Sequence, residues 1–140
     1  MQVQLKRKND DYLFEAQGAN PVQVYIDNKM DVSPQGASPM ELLLMAVGGC
    51  NAIDIVSILK KQRQQIGSYR AVVTGERHEV GKARPFKSIH VAVHLQGEID
   101  PEKARKAAQM SFEEYCSVSF TLIEAVQITY EVELNGVQVI

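Results

Sequence analysis

Charge of one sign is not in excess in this sequence. Fifteen lysine and arginine residues stand against seventeen aspartate and glutamate, a formal net charge of −2. A nucleic-acid binder usually carries a basic stripe to neutralise phosphates, and this balance argues against that class of partner. Cysteine is scarce, with only Cys50 and Cys116 among 140 residues. No apolar leader opens the chain: Met1-Gln-Val-Gln-Leu5-Lys-Arg-Lys8 alternates, which predicts no secretory signal. Two cysteines without such a signal predict a reducing, cytoplasmic setting, where any disulfide is transient or catalytic. No C-x-x-C, phosphate-cradling glycine loop or G-x-S-x-G is present. Internal repeats and low-complexity segments are also absent.

With 45% hydrophobic and 23% charged residues, the chain reads as one ordinary globular domain over residues 1–140. Only one long apolar region exists, from Pro39 to Leu59. A membrane span needs about 20 predominantly apolar residues, but Glu41, Asn51, Asp54 and Ser57 interrupt this one. A soluble helix is the reading, with no membrane partner. Ser38-Pro39-Met40-Glu41 predicts a capping box with proline at the first helical position. The helix should run on through a basic last turn to Gln65 and stop by Gly67. Roughly 26 residues give about 39 Å, long for so small a domain. Apolar residues surround its middle, so most sides need cover. That points to a homodimer with both long helices in a shared core. Gly48-Gly49 points the same way, since glycine inside a helix costs about 1 kcal/mol relative to alanine and close approach of another backbone would compensate. Packing against the chain's own sheet is the alternative.

Before this helix, alternation around Val3, Leu5, Tyr12, Phe14, Val22, Val24 and Ile26 predicts three short strands. A polar loop over Asp27–Ala37 follows. After it, Tyr69–Glu79 and Phe86–Gln96 read as strands, Asp100-Pro101 opens a second helix, and a third helical piece runs to Ala125. The segment Gln127–Ile140 reads as a hairpin around Asn135-Gly136. The order βββ-α-ββ-αα-ββ makes this an α+β fold with a largely antiparallel sheet.

The three histidines are His78, His90 and His94. The last two sit four apart on a strand, about 13 Å, and cannot share a zinc ion with bonds near 2 Å. Solvated strand-face histidines are the reading, and no metal or cofactor is expected. Lys6-Arg7-Lys8 reads as a solvated strand end. Chemistry therefore falls to the two cysteines. Cys50 follows the diglycine on the long helix. Cys116 lies in Glu113-Glu-Tyr-Cys-Ser-Val-Ser119, at a break between helices. Either alone is readily a small buried hydrophobe. Two thiols within reach could reduce a peroxide, one becoming a sulfenic acid and the other condensing with it. At a pKa of about 8.5 only roughly 3% of a thiol is thiolate at pH 7, so such a site requires a cation at the sulfur. Glu41 could hold an arginine there by a bidentate pair. Asp54, one turn after Cys50, would raise the thiol pKa as an anion. It reads as a partner in a structural salt bridge or an interface hydrogen bond.

Ser38-Pro-Met-Glu-Leu-Leu-Leu-Met-Ala-Val-Gly-Gly-Cys50, followed by Tyr115-Cys-Ser-Val-Ser119, resembles the OsmC/Ohr family along essentially the whole chain. The resemblance implies an OsmC-like α+β fold. In it, antiparallel sheets surround a long buried central helix in an intertwined homodimer with active sites at the subunit interface. It implies reduction of organic hydroperoxides, reset by a thiol or dithiol reductant. Cys50 then corresponds to the peroxidatic thiol, Cys116 to the resolving thiol and Glu41 to the arginine-orienting carboxylate. The chain departs from the family pattern in three places. Met40 stands where the hydroperoxide-reducing branch has its glutamate, and Ser117 replaces a proline. The N-terminal glycine-flanked arginine motif is missing. A non-catalytic dimer of the same fold holding a small apolar ligand is the alternative. A cysteine hydrolase lacks a helical or loop histidine as base.

Overall fold

The computed structural model describes residues 1–28, 30 and 32–140. The chain separates into two compact units, Met1–Leu43 and Leu44–Ile140. In the first, strands β1 (Gln4–Arg7), β2 (Phe14–Gln17) and β3 (Gln23–Ile26) form an antiparallel meander in that order. The β1–β2 turn is built by Asn9, whose side-chain oxygen accepts from the N–H groups of Asp11 and Leu13 at 3.1 and 3.2 Å. Such local bonding is why asparagine favours turns. Lys6, Arg7 and Lys8 are exposed, as expected of a solvated strand end. In the loop after β3, the buried Asp27 carboxylate accepts from the N–H groups of Asn28 and Gln35 at 2.7 and 2.9 Å. Positions 29 and 31 of that loop lie outside the described residues.

Helix α1 (Pro39–Lys61) begins in the first unit and continues into the second. Its start follows the sequence signal. The Ser38 N–H donates to Glu41 Oε2 at 2.8 Å, and the Glu41 N–H donates to Ser38 Oγ at 3.3 Å. Its end does not follow the signal: the helix stops at Lys61, four residues short of expectation, and Gly67 plays no part. Arg63 takes the left-handed conformation at φ 59°. The Gln64 N–H then donates to Leu59 O, and that of Arg63 to Lys60 O, at 3.0 and 2.9 Å. This is a Schellman cap without its usual glycine. By length and composition alone α1 could cross a membrane, a test that the core helix of a soluble protein also passes.

In the second unit, β4 (Gln65–Arg77), β5 (Phe86–Glu98), β6 (Gln127–Leu134) and β7 (Val137–Gln138) form one sheet in chain order. The β4–β5 and β6–β7 pairs are antiparallel, whereas β5 and β6 run parallel. A parallel neighbour requires a crossover. Here it is α2 (Pro101–Met110), a π-helical turn (Ser111–Tyr115) and α3 (Ser117–Leu122). Asp100 caps α2 by accepting from the Lys103 N–H at 3.0 Å. Asn135 and Gly136 close the last hairpin at φ 51° and 83°, the double left-handed turn that Asn-Gly specifies. β4 ends two residues before its expected limit, which leaves His78 in the following loop.

One sheet face carries Ile89, Val91, Val93, Leu95 and Val132, all essentially without exposure. With Val47, Ile55 and Leu59 of α1 and Ala104, Ala107 and Ala108 of α2 they form the core. Each buried valine, leucine or isoleucine among them contributes about 1.5–3 kcal/mol by leaving water. The opposite face carries His90 and His94 beside Glu131 and Glu133 at 3.8 and 3.4 Å.

Gly48 is buried, and a Cβ there would lie 2.7 Å from Cγ2 of Val73 on β4. The close approach that this glycine permits is therefore to the chain's own sheet. Gly48→Val should destabilise the protein by about 1–3 kcal/mol through overpacking, read as a lowered denaturation midpoint. Adding Val73→Ala should recover part of that loss. An equal loss with and without the second change would contradict this packing.

Candidate active site

Cys50 projects from the middle of α1, half-buried, and Cys116 is the fully buried N-cap residue of α3. Sixty-five residues separate them in sequence, yet Cys50 Sγ, Cys116 Sγ and a carboxylate oxygen of Asp54 all lie within 4.8 Å of one another. Both thiols are free. Asp54 joins them because i and i+4 share a helix face. Cys116 joins them because the chain breaks helical geometry just before it. The Cys116 N–H donates to Ser111 O at 2.9 Å, five residues back, which closes the π-helical turn. That turn rests on β6 through a parallel stack of Phe112 on Tyr130, with ring centroids 4.1 Å apart. The Tyr130 hydroxyl also donates to Glu113 at 3.1 Å.

A buried polar chain ties this break to α1. Asn51, with no exposure, donates through Nδ2 to Val47 O at 2.8 Å and to Ser119 Oγ at 3.2 Å. Ser119 Oγ in turn donates to Cys116 Sγ at 3.1 Å, and the Ser119 N–H does so at 3.3 Å. At the other end, the Ser111 hydroxyl faces Asn51 Oδ1 at 2.9 Å and Asp54 Oδ2 at 3.4 Å. Ser111 and Ser119 carry no sequence signal of their own. Only after folding does their spacing around Cys116 place both on Asn51. The hydrogen bond of Asp54 is to Ser111 of the same chain, and no salt bridge to it occurs among the described residues.

The electrostatics favour the neutral thiol. Burial pushes the Cys50 pKa up, the backbone N–H of Val118 acts against this, and Cys116 and the negative charge of Asp54 add to the rise. No cation and no histidine is among these groups. Glu41 belongs to the first unit, where its Oε2 accepts from both the Ser38 N–H and the Ser38 hydroxyl, at 2.8 and 2.6 Å. Beside the thiols, Asp54, Ser57, Ile58, Lys61, Met110 and Tyr115 line an open groove of about 530 Å³.

The OsmC-like protein family model matches residues 32–131. The chain is 39% identical over 123 residues to Protein YhfA of Escherichia coli (strain K12), an overlap covering 86% of this chain and 89% of that one. A hypothetical protein from Aquifex aeolicus VF5 superposes with a TM-score of 0.80 at 26% identity, covering 96% of each chain. An organic hydroperoxide resistance protein from Elizabethkingia anophelis shares the fold, with a TM-score of 0.70 at 9% identity. That match covers 95% of this chain and 94% of the other.

Because the Asp54 charge opposes thiolate formation, Asp54→Asn should lower the pH midpoint of Cys50 alkylation and speed alkylation at pH 7. While the thiol is mostly protonated, a midpoint lower by one pH unit gives about tenfold more thiolate. An unchanged or raised midpoint would contradict the assignment.

Proposed function

The chain belongs to the OsmC-like family, and from that membership and its paired thiols we propose that it is a thiol-dependent peroxidase acting on organic hydroperoxides. The observation that carries this reading is the approach of Cys50 Sγ and Cys116 Sγ to within 4.8 Å of each other, with Asp54 of the same cluster on the wall of an open groove. The organic hydroperoxide resistance protein of Elizabethkingia anophelis, which shares the fold, supports the same chemistry. In the first step the Cys50 thiolate attacks one peroxide oxygen. The O–O bond breaks, and the other oxygen leaves as alcohol after taking a proton. Sulfur, oxidised by two electrons, becomes a sulfenic acid. The Cys116 thiol then condenses with it, forming the S–S bond and releasing water. A thiol or dithiol reductant restores both thiols. The half-buried Cys50 meets the peroxide, and the fully buried Cys116 resolves.

The active form in this reading is a homodimer. Five of the 23 residues of α1 are buried within the chain, and Met45, Gly49 and Ile53 form an exposed stripe at i, i+4 spacing. Ile53 is 72% exposed. A Cβ on Gly49 would meet nothing within 4 Å among the described residues, so none of them compensates the cost of this glycine. A second α1 laid along the stripe would supply it. The cation that Cys50 needs would come from the same second copy.

One observation favours a different reading, a dimer of this fold that holds a small apolar ligand without turnover: the groups acting on Cys50 within the chain raise its pKa.

Cys50→Ser should abolish peroxide consumption in a reductant-coupled assay. Cys116→Ser should retain a single turnover and leave a sulfenic acid that dimedone traps. No turnover of any organic hydroperoxide by the intact protein would overturn the peroxidase reading. In sedimentation, Ile53→Glu should convert a dimer to a monomer that retains its circular dichroism spectrum. Its Cys50 alkylation midpoint should also rise above that of the intact protein. Equal midpoints, at or above about 8.5, would favour the ligand-holding reading.

A further inference from the structure

We propose that Cys50, Cys116 and Asp54 also form a binding site for a thiophilic divalent cation of the Zn²⁺ class, with the fourth position open to the groove. The donor set is suited to such an ion: two sulfurs and one carboxylate oxygen, all within 4.8 Å of one another. A tetrahedral zinc ion with Zn–S bonds near 2.3 Å and a Zn–O bond near 2.0 Å holds its two sulfurs about 3.8 Å apart and each sulfur about 3.5 Å from the oxygen. The triangle therefore needs to contract by about 1.3 Å at most, within reach of small side-chain rotations. Three protein ligands with one open position is the pattern of zinc sites that keep an exchangeable place.

The surroundings already orient two of the three ligands as metal sites require. Ser119 contributes its hydroxyl and its N–H to Cys116 Sγ. Ser111 faces Asp54 Oδ2 at 3.4 Å. Asn51 holds the two serines in place from between them. A divalent cation also answers the electrostatic problem of the site. It replaces two thiol protons with a charge next to both sulfurs and the Asp54 carboxylate, where the described groups provide none. Two thiolates, one carboxylate and the ion sum to −1, and Lys61 on the groove wall carries the opposite charge.

Metal binding and the disulfide are mutually exclusive, since both use the same sulfurs. Two metal-bound thiolates, one organic hydroperoxide and two protons give a disulfide, an alcohol and water, and set the cation free. The binding itself does not rest on turnover. Failure to bind metal in a protein that consumes peroxide overturns this proposal alone, and binding without consumption overturns only the peroxidase reading.

Cobalt(II) serves as the probe. Titrated into the reduced, intact protein, it should saturate at one ion per chain with thiolate-to-cobalt charge-transfer absorption and the intense visible bands of a tetrahedral site. Zn²⁺ should displace it. Cys50→Ser and Cys116→Ser should each reduce the charge-transfer absorption. Asp54→Asn, nearly isosteric, should weaken binding by at least about tenfold, while His90→Gln should leave the spectrum unchanged. No charge-transfer absorption in the intact protein, or absorption that survives both cysteine changes, would overturn the site. So would unaltered affinity in Asp54→Asn.

Discussion

Asn51 is a fully buried amide on an apolar helix, and the candidate site depends on how it is satisfied. Its Nδ2 protons go to Val47 O and Ser119 Oγ, and its Oδ1 faces the Ser111 hydroxyl. The two serines flank the interruption between α2 and α3, so one side chain of α1 fastens both sides of the helix break that presents Cys116. Leaving a buried donor or acceptor unmade costs about 1–3 kcal/mol, and this chain has several at stake. The network therefore selects one register of the crossover against α1. That register brings the two sulfurs to within 4.8 Å of each other.

The same arrangement sets the chemistry. Close packing makes a sulfur pair easy to assemble and hard to ionise, because burial, the second thiol and the Asp54 charge all favour the protonated Cys50. A reactive thiolate needs positive charge, and a single chain supplies none among the groups acting on that sulfur. The charge can come from a second protein copy or from a bound cation, and these sources differ in consequence. A neighbouring protein cation leaves the thiolate free to attack a peroxide. A coordinated metal ion occupies its lone pair and holds both sulfurs reduced until an oxidant removes them. The groove beside Asp54 serves either case, since both a peroxide and a fourth metal ligand must enter from solvent.

Much of the fold is legible along the chain. Ser38, Pro39 and Glu41 mark the start of α1 because capping is a local event, satisfied within four residues. Asp100-Pro101 and Asn135-Gly136 are legible for the same reason. The end of α1 is not: Arg63 adopts a left-handed backbone that glycine usually takes, while Gly67, a sensible stop, sits inside β4. The Gly48-Gly49 pair divides in a way that sequence leaves open. Gly48 admits the side chain of Val73 from the chain's own sheet, whereas a Cβ on Gly49 would meet none of the described residues within 4 Å.

For the site, residue chemistry names Cys50, Cys116 and Glu41 and flags Asp54 as a structural neighbour, and the sign of the Asp54 effect on Cys50 follows from Coulomb's law alone. Helical periodicity even assigns Cys50 and Asp54 to one face, because four residues make about one turn. Neither reasoning reaches across the 65 residues to Cys116. That approach requires the parallel β5–β6 pairing, the crossover it imposes, and a π-helical turn whose single extra residue shifts everything after it. Ser111 and Ser119 acquire their roles only then, because a hydroxyl has no assigned partner until packing removes the water that would otherwise serve. Local hydrogen bonding and hydrophobic period were thus written in the amino-acid order. The meeting of distant polar atoms was decided by tertiary packing, where burial leaves each one only the partners that the fold brings near.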